Sequence, residues 1–251
     1  NLSLRTTLAA NQPVTVGFVV SGGARDLLVR AAGPTLAAFG VATAMPDPRL
    51  EVYRGAVRAA ANNDWPAALA PVMAAQGAFP FTTASRDAAL FQTIDGAATT
   101  QASGPAGGTV LIEAYDTGAP SAARLVNVSA RNRVGTGDDI LSAGISVTGT
   151  GAKQVLIRAV GPTLASFGVA GALADPQLEV LDGGGRSLGS NDNWSPVLSS
   201  TFGRVGAFPL LSGSRDAAAL VTLTAGASYT VKVSGVNNTT GEALIEVYEV
   251  F

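Results

Sequence analysis

The sequence predicts an all-β protein built as two tandem β-sandwich or jelly-roll modules with short helical turns. Three observations predict it. The chain of 251 residues repeats itself, its apolar residues alternate or gather in short runs, and clusters of Gly, Asn and Asp separate those runs. Residues 28–41, with Arg30, Gly33-Pro34-Thr35-Leu36 and Phe39-Gly40, return 128 positions later as residues 156–169. At the same offset Asp47-Pro48 and Leu50-Glu51-Val52 become Asp175-Pro176 and Leu178-Glu179-Val180. Gly77-Ala78-Phe79-Pro80 and Ser85-Arg86-Asp87-Ala88-Ala89 return 129 positions on, as Gly206-Ala207-Phe208-Pro209 and Ser214-Arg215-Asp216-Ala217-Ala218. The ends match too, Asn1-Leu2-Ser3 with Asn127-Val128-Ser129 and Leu111-Ile112-Glu113 with Leu244-Ile245-Glu246. The drifting offset places small insertions in loops of the second copy. Modules are therefore expected over residues 1–118 and 124–251, joined by the small-residue stretch 117–123.

Taken in order, residues 1–5 are strand-like. Residues 14–20 begin as alternation and become fully apolar, while Leu27-Leu28-Val29 and residues 244–248 are nearly continuous apolar runs, the pattern of central strands. Residues 229–234 alternate apolar with polar, as a strand with one wet face does. The matching stretch of the first copy, residues 99–104, lacks that pattern and is expected to be an eroded strand. Pro34 suits the first position of a short helix and Gly40 its stop, so Leu36 and Phe39 are expected to face the same way and plug one end of the sandwich. A second short helix is expected over residues 66–69 with Asp64 as its N-cap, and its counterpart follows Trp194 at Pro196.

Composition excludes several functions. Charged residues are 14% and hydrophobic residues 47%, the reverse of a disordered polyelectrolyte. The net charge is −2, only Lys153 and Lys232 are lysines, and the arginines form no run, so nucleic acid is not an expected partner. His and Cys are absent, which removes Ser-His-Asp triads, thiolate nucleophiles, His-ligated zinc and disulfides. No apolar run reaches the roughly 18 residues of a membrane span. A chain without cysteine and poor in charge is expected outside the cell or on its surface, and Asn1 reads as a mature N-terminus after signal-peptide removal or as an artificial boundary.

Candidate sites come from residues that both copies share. Arg30 and Arg158 end apolar strands and are expected to pair with carboxylates at the sandwich edge; a glycosidase-like carboxylate pair is the catalytic alternative. Ser190-Asn191-Asp192-Asn193-Trp194, matching Asn62-Asn63-Asp64-Trp65, is the best metal candidate. Asn191, Asp192 and Asn193, joined by Asp182 from the preceding turn, offer the oxygen-rich side chains that calcium takes. The alternative is an Asx-type turn that anchors the tryptophan on the core.

The pattern of residues 156–162, 175–180, 190–194 and 233–241 resembles a module common at the C-terminal ends of large secreted bacterial proteins. It is also distantly similar to bacterial pre-peptidase C-terminal domains. That resemblance implies a β-sandwich accompanying secreted proteins and carries no catalytic residues with it. The expected function is a non-catalytic secreted structural protein that self-associates into an extracellular fibre or surface layer, through strands at the two chain ends adding to a neighbour's sheet. The alternative is a carbohydrate- or cell-surface-binding module.

Overall fold

A computed structural model describes residues 1–118 and 122–251; Ala119-Pro120-Ser121, within the expected join, lie outside the described residues. The chain divides into two compact units, Asn1–Val126 and Asn127–Phe251. The first holds β1 (Leu2–Leu8), β2 (Val14–Ala32), β3 (Arg49–Arg54), β4 (Val57–Asn62), β5 (Ala88–Ser103) and β6 (Gly108–Asp116), with helix α1 (Ala70–Ala75). From there the chain continues through β7 (Arg124–Val134), β8 (Leu141–Ser146), β9 (Ala152–Val160), β10 (Pro176–Asp182) and β11 (Ser187–Asn191). Helix α2 (Ser199–Arg204) follows, then β12 (Ala217–Thr224), β13 (Ser228–Gly235) and β14 (Gly241–Val250).

The second unit pairs its strands antiparallel as β7-β14-β9-β12 and β8-β13-β10-β11. Numbered from β7, these orders are 1-8-3-6 and 2-7-4-5, the strand order of a jelly roll. The first unit reaches the same order with fewer, longer strands. The first part of β2, Val14–Val20, pairs with β5 from Ala102 to Gly96; after a register shift, Arg25–Ala31 pairs with β5 from Ile94 to Ala88. The later half of β2 then joins β6 and β1, while the later half of β5 joins β3 and β4. Gly22, Gly23 and Gly96 sit at this corner with φ of 86°, 121° and 72°, where a side chain would be strained. In the second unit loops at residues 147–151 and 225–227 replace the continuous corner.

Residues 99–103 are therefore a fully paired part of β5, and the expected erosion of that strand is corrected. Ladder bonds come from the backbone, and Ala98, Thr100 and Ala102 are buried in alternation although two of the three are only alanine. The chain ends also differ from expectation. Both terminal strands fold back into their own modules, β1 bonded to β6 along its whole length and β14 held on both sides, by β7 and by β9.

The short helices cover the outer face of one sheet and do not plug an end. Leu28 and Ala32 of β2 face away from Leu27, Val29 and Ala31, and pack with Leu36, Met73, Ala78, Phe81 and Tyr115. Leu156, Val160, Leu164, Phe202, Ala207, Leu210 and Tyr248 repeat this layer. Within it Met73 and Phe81 are exchanged for Phe202 and Leu210, a large-for-small swap at two positions that keeps the packed volume. Leu36 is buried in the 3₁₀ turn Pro34–Phe39, whereas Phe39 is 62% exposed and touches Phe79 edge-on, centroids 5.1 Å apart. Asp64 caps nothing: the 3₁₀ turn Ala67–Leu69 starts after Pro66 with no side-chain cap and runs directly into α1.

Candidate functional site

Arg30, Glu113 and Asp87, with their second-copy counterparts Arg158, Glu246 and Asp216, gather at the helix-covered layer. Arg30 is completely buried, in the interior under the helices and not at the edge where pairing was expected. Its Nε donates to Glu113 Oε2 at 2.9 Å and its Nη1 to the Phe79 carbonyl at 2.7 Å. Its guanidinium carbon lies 4.4 and 4.3 Å from the ring centres of Phe79 and Phe81. Arg158 repeats the arrangement with Glu246 at 2.8 Å, the Phe208 carbonyl at 2.6 Å, and the rings of Phe208 and Phe202 at 4.3 and 4.8 Å. Arg158 Nη2 is 2.7 Å from Glu246 Oε2 but off its N–H direction, so that contact is an ion pair without a second hydrogen bond.

Tyr115 and Tyr248 complete these clusters by donating to the remaining carboxylate oxygens at 2.6 and 2.7 Å. Burial, and then the adjacent carboxylates, push both phenols well above the usual tyrosine range, so they stay protonated donors. Burial also pushes the Glu246 carboxyl up, against the pull of Arg158 and the Tyr248 hydroxyl. A buried guanidinium needs such a set of partners: the aromatic faces and the carboxylate replace the water it has lost.

A second pair of clusters explains why Gly-Pro-Thr and Ser-Arg-Asp recur together. Asp87 is fully buried and accepts from Gly33 N–H at 2.7 Å, Thr35 N–H at 3.3 Å, the Thr35 hydroxyl at 2.5 Å and the Ser85 hydroxyl at 2.5 Å. Asp216 does the same for Gly161 at 2.7 Å, for the N–H and hydroxyl of Thr163, and for Ser214. Neighbouring Arg86 and Arg215 form exposed bridges to Asp47 and Asp175 at 3.1 and 2.7 Å. No carboxylate in either cluster opens onto a cleft, and the geometry serves to pin a 3₁₀ turn onto the start of a strand.

The Asn-Asp-Trp loops belong to the same support. Asn62 Oδ1 accepts from Ala89 N–H at 3.0 Å and its amide donates to the Asp64 carbonyl at 2.8 Å. Asn191 bonds Ala218 N–H and the Asn193 carbonyl in the same way, both at 2.9 Å. Trp65 and Trp194 donate their backbone N–H to the Asp87 and Asp216 carbonyls and pack on Phe81 and Phe202. Asp182 stands elsewhere. It takes the backbone N–H groups of Arg186 at 2.9 Å and Gly184 at 3.0 Å within the β10–β11 turn, and the first of these holds its carboxyl below the usual range. Asn191 lies opposite Leu178, four residues along β10 from Asp182 or about 13 Å at strand spacing. The structure thus does not bring Asp182 together with Asn191, Asp192 and Asn193 as one calcium set. Among the described residues no three His, Cys, Asp or Glu side chains gather as a metal site.

Sequence reasoning missed a polar cleft of about 440 Å³ on the second unit, over the outer face of β10, β11 and β13. Glu179 and Lys232 face each other across the β10–β13 register, flanked by Gln177, Ser190, Ser234 and Asn238. The first unit places Glu51 at the position of Glu179. There Glu51 accepts from the Tyr53 hydroxyl at 2.7 Å and from Arg58 at 2.7 Å, which hold its carboxyl below the usual range, and Arg49 lies 2.8 Å away. Single-copy differences of this kind cannot be found by comparing shared motifs.

No family model matches the chain, and no curated protein matches its sequence. Solved structures similar to it include the STIV MCP, at 10% identity and a TM-score of 0.24, covering 100% of this chain and 96% of that one. The major capsid protein P2 from bacteriophage PM2 is similar at 10% identity and a TM-score of 0.24, covering 99% and 97%. PNGF-II is similar at 9% identity and a TM-score of 0.26, covering 99% of this chain and 60% of that one. Likeness at this level says nothing about activity, and the jelly-roll assignment rests on the chain's own strand order.

Proposed function

We propose that the chain is a non-catalytic structural protein of the extracellular space or cell surface that self-associates. The observation that carries this reading is the use of the shared charges. Arg30, Glu113, Asp87, Arg86 and Asp47, with their second-copy counterparts, are all bonded to one another or to backbone, so duplication has preserved supports. A low-charge surface lets copies approach without strong repulsion. Among the described residues no helix is long and apolar enough to cross a membrane. Sedimentation of the purified chain at rising concentration tests the proposal. Concentration-dependent association supports it, and a monomer at every concentration contradicts it.

The polar cleft of the second unit favours a second reading, a binding module for carbohydrate. Its acidic, amide and hydroxyl groups suit sugar hydroxyls, although no aromatic platform lines it. A glycan array read against a Glu179→Ala variant separates the readings: binding that disappears with Glu179 supports the module.

A further inference from the structure

The structure of the second unit contains a sheet edge that is open over a short, sharply bounded window. Among the described residues β12 is bonded on one side only, to β9, and in the first unit the opening half of β5 is likewise bonded only to β2. Two side-chain bonds show which backbone groups of β12 point outward. Ala218 N–H donates to Asn191 Oδ1 at 2.9 Å, and Thr224 N–H donates to the Tyr229 hydroxyl at 2.8 Å. Outward groups recur at every second residue of an antiparallel edge, so Leu220 and Thr222 point the same way. Their N–H and carbonyl groups lie between the two caps, and among the described residues nothing bonds to them.

The first unit blocks the equivalent positions. Ala89 N–H is taken by Asn62, the Phe91 carbonyl accepts the Gln92 amide at 2.8 Å, and the Thr93 carbonyl accepts the Arg54 guanidinium at 2.5 Å. An incoming strand would have to displace an amide and a charged group. β12 carries no such guard: its sequence, AAALVTLT, has no charge and no proline, and Leu220 is 39% exposed. Soluble proteins commonly protect an edge of this composition with charge or proline.

We propose that β12 is the self-association site, pairing antiparallel with β12 of a second copy about a two-fold axis through Val221. In that register Leu220 of each copy faces Thr222 of the other, and every outward donor and acceptor of the two residues is bonded. Two residues further along, Ala218 of one copy comes opposite Thr224 of the other, so the ladder ends at these four bonds and the Asn191 and Tyr229 side chains turn aside where the strands diverge. The occupant is a second copy because the window is self-complementary under this rotation and no charge opposes like charge across it. An isologous contact closes on itself, so this edge makes dimers and not an open fibre. The inference rests on the self-association reading and narrows it to one strand.

Sedimentation velocity of the full chain tests it, comparing wild type with Thr222→Pro, Leu220→Lys and, as a control in the first unit, Phe91→Lys. Proline at 222 removes an outward N–H and leaves the bonds to β9 intact. Leu220→Lys keeps every backbone group, so it reports even if the proline variant folds poorly. Both β12 variants are expected to raise the dimer dissociation constant by about tenfold or more, with the control unchanged. Association that persists undiminished in both variants overturns the β12 assignment and leaves the self-association reading standing. A wild type that never associates overturns that reading and the edge with it.

Discussion

Replacing Glu246 by alanine is expected to destabilise the second unit by about 3–5 kcal/mol, the cost of leaving a buried charge without its partner. Arg158 is fully buried, and its other contacts are one carbonyl and two ring faces, none of which carries a full negative charge. Tyr248 would lose its acceptor at the same time. Glu113→Ala should act equally on the first unit through Arg30 and Tyr115. Removing the whole cluster is a different matter. A triple replacement, Arg158→Met with Glu246→Leu and Tyr248→Phe, leaves no buried charge unpaired and deprives only the Phe208 carbonyl of its donor, so it should recover most of the loss. Denaturant unfolding of the variants measures both effects. A Glu246→Ala variant within about 1 kcal/mol of wild type would mean that the cluster is not a support.

The second large effect is expected at Asp216. Alanine there strands the N–H groups of Gly161 and Thr163 and the hydroxyls of Thr163 and Ser214, all at a fully buried site. Each unsatisfied buried group costs about 1–3 kcal/mol, and the two hydroxyls can turn to other partners. A net loss of about 3 kcal/mol or more follows. Asn keeps one acceptor for the backbone N–H groups and presents an amide that the rotatable hydroxyls can accept, so Asp216→Asn should lose roughly half as much. Hydrogen exchange should show the 3₁₀ turn Pro162–Phe167 opening first, because Asp216 holds its first residues. Equal losses in the Ala and Asn variants would contradict this account of the site.

Much of the architecture could be read from the residues. The repeat is visible because the motifs that bind one another recur together: Gly33-Pro34-Thr35 with Ser85-Arg86-Asp87, and Arg30 with Glu113. Strand pairing in β5 was obscured because an alanine-rich strand satisfies its ladder as fully as a valine-rich one while showing no hydrophobic alternation. The spacing of Leu36 and Phe39, three apart, points to a plug at one end of the sandwich. Only the tertiary structure shows that the turn lies flat on the sheet, leaving Phe39 outside. The calcium set joined Asp182 to Asn191 by nearness in sequence, whereas the β10–β11 hairpin carries them to opposite ends. The open window at Leu220 and Thr222 has no sequence signature of its own. It depends on which neighbours, Asn191 and Tyr229 here, happen to cap the residues on either side.

The most direct test of self-association through an open sheet edge is amide hydrogen exchange of the full chain at low and high protein concentration. The Leu220 and Thr222 N–H groups are expected to become protected as concentration rises, while Phe91 and Thr93 exchange at the same rate throughout. Protection of Leu220 and Thr222 that does not change with concentration, in a chain whose sedimentation does, would contradict it.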